Sequence, residues 1–140
     1  MIFFILINTA IFIMLSFIHV YWALNGSLGK EGVIPTLPDG KALFEPGILV
    51  TFIIAAFLGI FAFVTVGDLG IYNEYLSDDF IKYATLTIGI VFLLGATGDF
   101  KYVGFFKTIK GTLFAKNDSR YFSPLCLYLG LSSIAIALIQ

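Results

Sequence analysis

Residues Ile2 to Ala23 read IFFILINTAIFIMLSFIHVYWA, an apolar run that contains no charged side chain. An α-helix rises about 1.5 Å per residue, so about 20 residues span a hydrocarbon core roughly 30 Å thick. Three more runs have a similar length and composition, namely Ile48 to Val66, Phe80 to Gly98 and Phe122 to Ile139. None of the four carries a charge in its central turns, where a charge costs about 2.5–3.5 kcal/mol. The sequence therefore predicts an all-α fold, a transmembrane antiparallel four-helix bundle.

The composition agrees with a membrane protein and excludes several other classes. The chain is 59% hydrophobic and only 12% charged, whereas soluble domains average about 25% charged. Its length of 140 residues predicts a single transmembrane domain. The net charge of −1 gives no general attraction for nucleic acid. The single cysteine, Cys126, excludes an internal disulfide.

The charged residues lie between the apolar runs and differ in sign from loop to loop. Seven of the eight basic residues fall in the first and third loops, residues 24–47 and 99–121. The connection at 67–79 is acidic. By the positive-inside rule the basic loops face the cytoplasm, and both termini and the acidic loop face outward.

The third loop has a pattern of its own. Phe105, Ile109 and Leu113 recur at helical spacing with lysines between them, which predicts a short basic helix lying in the membrane interface. At the start of the fourth run, Ser123 precedes Pro124 and is the predicted N-cap.

The first run carries the best candidate functional residues. At 100° per residue, five side chains share one face about 80° wide, and they are Asn8, Phe12, Leu15, His19 and Trp22. His19 is the only histidine, and an imidazole suits either a structural hydrogen bond or acid–base work near neutral pH. A lone histidine is poor evidence for a metal, and no cofactor is predicted.

Five motifs in this order resemble a family of small bacterial four-helix membrane proteins known only as a domain of unknown function. The motifs are HVYWA at 19–23, PTxPDG at 35–40, LFxPG at 43–47, GDFxYVGFFK at 98–107 and YxSPLCL at 121–127. The resemblance covers essentially the whole chain. It implies a four-helix bacterial membrane protein, for which we expect the inner membrane, and it implies no activity, cofactor or catalytic residues.

All five motifs lie at the end of the predicted bundle that carries the basic loops, so we expect a polar pocket there. Its predicted lining divides into acid–base candidates, His19, Glu45 and Asp99, and binding candidates, Trp22, Asn8, Lys101, Tyr102 and Arg120. The leading hypothesis is binding of a small amphiphile such as a lipid, an isoprenoid or a quinone. The alternatives are a membrane enzyme, such as an isomerase or a lipid-modifying enzyme, that pairs His19 with Glu45 or Asp99, and an oligomeric proton or ion pathway. Membrane lipids are expected partners, and a homo-oligomer is compatible with each hypothesis.

Overall fold

The computed structural model describes residues 1–24, 32–35, 37–39, 41–42, 47–98 and 102–139. The described residues form five α-helices, which are α1 (Ile2–Ala23), α2 (Ile48–Gly67), α3 (Asp78–Thr97), the short α4 (Leu113–Asn117) and α5 (Ser123–Ile139). A π-helical turn, Asp118–Phe122, joins α4 to α5. The predicted all-α fold class is confirmed, and four helical segments are long and apolar enough to cross a membrane.

The long helices pack as two pairs. α1 lies mainly against α2, and α3 lies mainly against α5, while α2–α3 and α1–α5 touch over smaller areas. Chain direction alternates from one long helix to the next, so two ends of the bundle can be defined. The acidic end carries the loop 68–77, the start of α1 and the end of α5. The basic end carries the end of α1, the start of α2 and the segment 102–122.

Glycine lets the second pair pack closely. A Cβ atom at Gly89 of α3 would lie 2.9 Å from the Gly130 carbonyl oxygen of α5, and one at Gly130 would lie 2.7 Å from Leu93 Cδ2. Such contacts are the usual role of small residues in membrane helices, where close backbone approach gives van der Waals contact. The α3–α5 seam therefore depends on these two glycines.

The outer surface of the bundle is apolar. Large side chains face outward, and those of Phe17 and Leu49, for example, are 70% and 73% exposed. Water would penalise contiguous apolar area of this kind, but lipid does not. The exposed faces are therefore those expected of a bundle surrounded by lipid.

The predicted interfacial helix in the third loop is wrong. Residues 102–112 form bends and turns, and the helix begins only at Leu113, where Thr112 Oγ1 accepts from Ala115 N at 3.0 Å. Ser123 is also not an N-cap, because helical backbone continues into it from the π-helical turn. The helical spacing of Phe105, Ile109 and Leu113 fails as a signal because the segment folds around a buried lysine, described below.

Candidate functional site

The face of α1 that carries Asn8, Phe12, Leu15, His19 and Trp22, here called the interior stripe, changes in burial along the helix. Asn8 and Phe12 are completely buried, with exposed fractions of 0%, whereas Leu15, His19 and Trp22 are only half-buried. All five side chains lie on the same face of α1, so the change reflects what covers them. The core is closed around Phe12 and becomes accessible toward the basic end.

His19 lies in this accessible part. Its Nδ1 is 2.7 Å from the Leu15 carbonyl oxygen, so Nδ1 carries the hydrogen and donates it to the backbone. Its ring meets Trp22 edge to face with the centroids 5.1 Å apart. Within the described ranges no polar side chain bonds to Nε2, which is the acceptor nitrogen of this tautomer. The ring is therefore oriented by its own helix and offers one acceptor to an incoming group.

The other predicted site residues do not all join His19. Asn8 lies eleven positions earlier on α1, about 16 Å away along the axis at 1.5 Å per residue. Arg120 is exposed, and its guanidinium carbon lies 5.3 Å from the centroid of the Tyr121 ring. Tyr102 is half-buried in the segment after α3. The remaining candidates, Glu45, Asp99 and Lys101, lie outside the described residues.

A buried ion pair, which the sequence pattern did not predict, lies beside α5 at the basic end. Lys107 Nζ is 3.0 Å from Asp118 Oδ2, and the two side chains are 1% and 2% exposed. The ammonium also donates to the Gly104 carbonyl at 3.1 Å and to Ser119 Oγ at 2.5 Å. Because three acceptors surround the ammonium, its desolvation is offset within the protein. This lysine organises the loop and is not available to a ligand.

Two glycines close the same loop onto the end of α3. Gly98 and Gly104 have φ of +74° and +92°, values that side chains other than glycine rarely adopt. A Cβ at Gly104 would collide with the Thr97 carbonyl oxygen, and Phe105 N donates to the Ala96 carbonyl at 2.8 Å. Gly104 N in turn donates to Asp118 Oδ2 at 2.8 Å. Gly98 and the segment 102–118 thus form a cap on the basic end.

A separate polar layer is buried at the acidic end. Asn8 Nδ2 donates to Ser132 Oγ of α5 at 2.8 Å, and Asn8, Thr65 and Ser133 are all 0% exposed. In the part of the chain that the structure describes, Asn8 Oδ1, Thr65 Oγ1 and Ser133 Oγ have no hydrogen-bond partner. Buried polar atoms are rarely left without a hydrogen-bond partner. In a membrane-spanning bundle, buried polar side chains often mark a functional site.

Asp68 adjoins this layer at the end of α2. Its Oδ2 accepts from Thr85 Oγ1 of α3 at 2.7 Å. Burial raises the pKa of the Asp68 carboxyl to about 6, and the hydrogen bond from Thr85 opposes part of that rise. Asp68 therefore changes its protonation state close to neutral pH, within a loop that the sequence marks only as acidic.

An aromatic layer separates the two ends. Phe12 lies 5.8 Å from Phe61 and 5.5 Å from Phe92, ring centroid to ring centroid. Thr87 is exposed and donates to the carbonyl of Tyr83 on its own helix. Among the described residues, the hydroxyls and Asn8 therefore form no continuous polar track from one end of a single chain to the other.

Comparison with known proteins agrees with this architecture. Four membrane-length helices around a small, partly polar interior define the chain as a multi-pass membrane protein of unknown activity. It belongs to the family described as protein of unknown function DUF3995, whose model matches residues 12–133. No curated protein and no solved structure showed a significant match. Within the described ranges, no three histidine, cysteine, aspartate or glutamate side chains are grouped so that they could hold a metal ion.

Proposed function

We propose that the protein binds a small amphiphile at the basic end of the bundle, in a bacterial inner membrane with that end facing the cytoplasm. The observation that carries the proposal is the half-buried His19 ring on the otherwise interior face of α1, which donates from Nδ1 to the Leu15 carbonyl and leaves Nε2 as an acceptor. An acceptor nitrogen at the end of an apolar interior suits a ligand with a hydroxyl or similar polar head and an apolar tail.

The surroundings of His19 fit such a ligand. Leu15 lies one turn deeper than His19 and packs partly exposed against the hydrophobic core. Leu125 of α5 packs against the same core from the other helix pair. A tail entering between the pairs would contact these side chains, while its head would remain beside His19 and Trp22. An isoprenoid alcohol, a lipid with a hydroxyl-bearing head and a quinone in its reduced, quinol form share this chemistry, because each carries a hydroxyl that can donate to Nε2.

An enzymatic role would need a carboxylate beside His19. At the basic end the buried Asp118 carboxylate is already bound to Lys107 and Gly104 N. The acid–base pairing of His19 with Glu45 or Asp99 falls outside the described residues. Binding without chemistry is therefore the function that the geometry supports best.

The chain provides its own probe for this site. Trp22 is the only tryptophan, and it contacts the His19 ring. A short-tailed ubiquinol, kept reduced and added to the protein in mild detergent, should quench its fluorescence saturably, and excess farnesol or phospholipid should compete if it shares the site. His19→Leu should weaken the quenching, whereas His19→Gln, which retains an acceptor, should largely preserve it.

The control is Tyr21→Phe, which removes a polar group at the same depth but outside the interior stripe of α1. Unsaturable quenching of equal size in wild type and all variants would show partitioning into the micelle and would refute the proposal. Chemical alteration of the bound amphiphile during incubation would instead favour the enzymatic alternative.

A further inference from the structure

The buried polar layer at the acidic end has the character of a binding site. Among the described residues it contains three oxygens without a hydrogen-bond partner, Asn8 Oδ1, Thr65 Oγ1 and Ser133 Oγ, on side chains with no solvent exposure. Each comes from a different helix. Buried polar groups are rarely left unpaired, so three in one bundle call for a partner that the described residues do not supply.

Helix register places these oxygens at one depth. Phe12 and Phe61 face each other across α1 and α2, and the two helices run in opposite directions. One turn from each toward the acidic end leads to Asn8 on α1 and Thr65 on α2, which therefore also lie opposite each other. Ser133 is adjacent to Ser132, which is hydrogen-bonded to Asn8. The layer is thus formed by α1, α2 and α5 together.

The electrostatics of the layer favour a positive charge. Asp68 lies three residues after Thr65, on the same side of α2 and one turn nearer the acidic end. It follows the last residue of α2, where the helix dipole is negative and a carboxylate is disfavoured. A cation nearby would stabilise both the carboxylate and the helix end. One carboxylate balances one positive charge.

We propose that this layer binds a single sodium ion, with Asn8 Oδ1, Thr65 Oγ1 and Ser133 Oγ as ligands and Asp68 supplying the negative charge. Amide, hydroxyl and carboxylate oxygens are hard ligands that prefer hard cations over transition metals. A single carboxylate favours a monovalent ion over Ca²⁺ or Mg²⁺. The aromatic layer of Phe12, Phe61 and Phe92 closes the site on its inner side, so the ion enters and leaves from the acidic end.

The test is thermal unfolding of the full chain in detergent with NaCl, KCl or choline chloride at constant ionic strength. A ligand that binds only the folded state stabilises it by RT ln(1 + [L]/Kd), so above Kd the Tm keeps rising with the logarithm of the ligand concentration. We expect such a rise in Tm with Na⁺, which K⁺ and choline do not reproduce. Retention of ²²Na⁺ by the immobilised protein should saturate, with the same Kd that describes the rise in Tm.

Two variants test the ligands without threatening the fold. Thr65→Val and Ser133→Ala each remove an oxygen that has no hydrogen-bond partner in the described part of the chain, so folding in choline should be retained or improved. Both should lose the response to Na⁺. Thr87→Val is the matched control, because Thr87 is an exposed helical threonine bonded only to its own backbone, and it should keep the full response.

Several outcomes would overturn the sodium site. These are equal Tm shifts with all three salts, no shift with any of them, and a Na⁺ response that survives in both Thr65→Val and Ser133→Ala. Each would leave water as the partner of these oxygens. None of the measurements uses an amphiphile or Trp22 fluorescence, so the result is independent of the function proposed for the basic end.

Discussion

Lys107 and Asp118 lie eleven positions apart in sequence and form an ion pair of 3.0 Å that is almost completely shielded from solvent. The pair fixes two chain segments at once. Gly104 donates its backbone N–H to the same carboxylate oxygen and offers its carbonyl to the same ammonium. The cap on the basic end is therefore organised from one charged centre.

Removing one member of this pair should destabilise the protein strongly. Lys107→Met leaves the Asp118 carboxylate buried without its counter-ion, a change that costs about 3–5 kcal/mol in comparable pairs. Thermal unfolding in detergent measures the effect. Lys110→Met is the control, since Lys110 lies in the same loop, is exposed and carries the same charge. The double variant Lys107→Met/Asp118→Leu should recover much of the loss, and similar losses in Lys107→Met and Lys110→Met would contradict a role for burial.

Gly104 should not tolerate a side chain. Gly104→Ala forces a φ of +92° on a residue with a Cβ and drives that atom into the Thr97 carbonyl. Backbone strain of this kind costs about 1–3 kcal/mol before the clash is added, and the Tm should fall accordingly. Gly111→Ala is the matched control, because its Cβ would have no atom within 4 Å. A Tm for Gly104→Ala as high as that of Gly111→Ala would show that the cap is not held as described.

The fold was readable from the sequence because lipid imposes a simple rule. Each long apolar run must satisfy its backbone hydrogen bonds internally, so it forms a helix, and the observed bounds lie within about two residues of the predicted ones. The interior stripe of α1 was likewise predictable from helical spacing, and Asn8 and Phe12 do face the interior. Periodicity alone could not tell that this stripe spans two environments, one closed and one accessible.

The cap could not be predicted in the same way. Lysines between apolar residues favour an interfacial helix when their head groups reach water or lipid phosphates. Lys107 instead finds Asp118, and Gly98 and Gly104 turn the chain before a helix can form. This ion pair joins residues of an irregular segment. Such a segment has no repeating residue spacing from which the pair could be predicted. Thr65 was missed for a related reason, since one threonine in a run of apolar residues reads as a small packing residue.

Stability should depend on pH through Asp68. Its pKa rises from 3.8 to about 6 on folding, so the folded state disfavours the ionised form. The contribution of the protonated Asp68 carboxyl to the free energy of unfolding is complete below about pH 4. It declines as the pH rises toward 6 and is absent above it. We therefore compare the Tm of wild type with that of Asp68→Asn in potassium buffer. The difference, wild type minus variant, should be larger at pH 5 than at pH 7.5, because the amide cannot titrate. Asp79→Asn, an exposed acid at the start of α3, is the control. Parallel pH profiles for wild type and Asp68→Asn would refute the assignment.

The orientation of the bundle proposed from the basic residues can be measured directly. The only native cysteine is first removed as Cys126→Ala, and a new one is then introduced at a single exposed position. Tyr75 in the acidic loop is 84% exposed, and Lys110 is an exposed position in the basic segment. Because basic loops remain in the cytoplasm, a membrane-impermeant maleimide should label Tyr75→Cys in intact bacteria and Lys110→Cys only after permeabilisation. The reverse pattern would place His19 toward the outside, so that its polar ligand head would come from the outer leaflet, while the proposed sodium site would open to the cytoplasm.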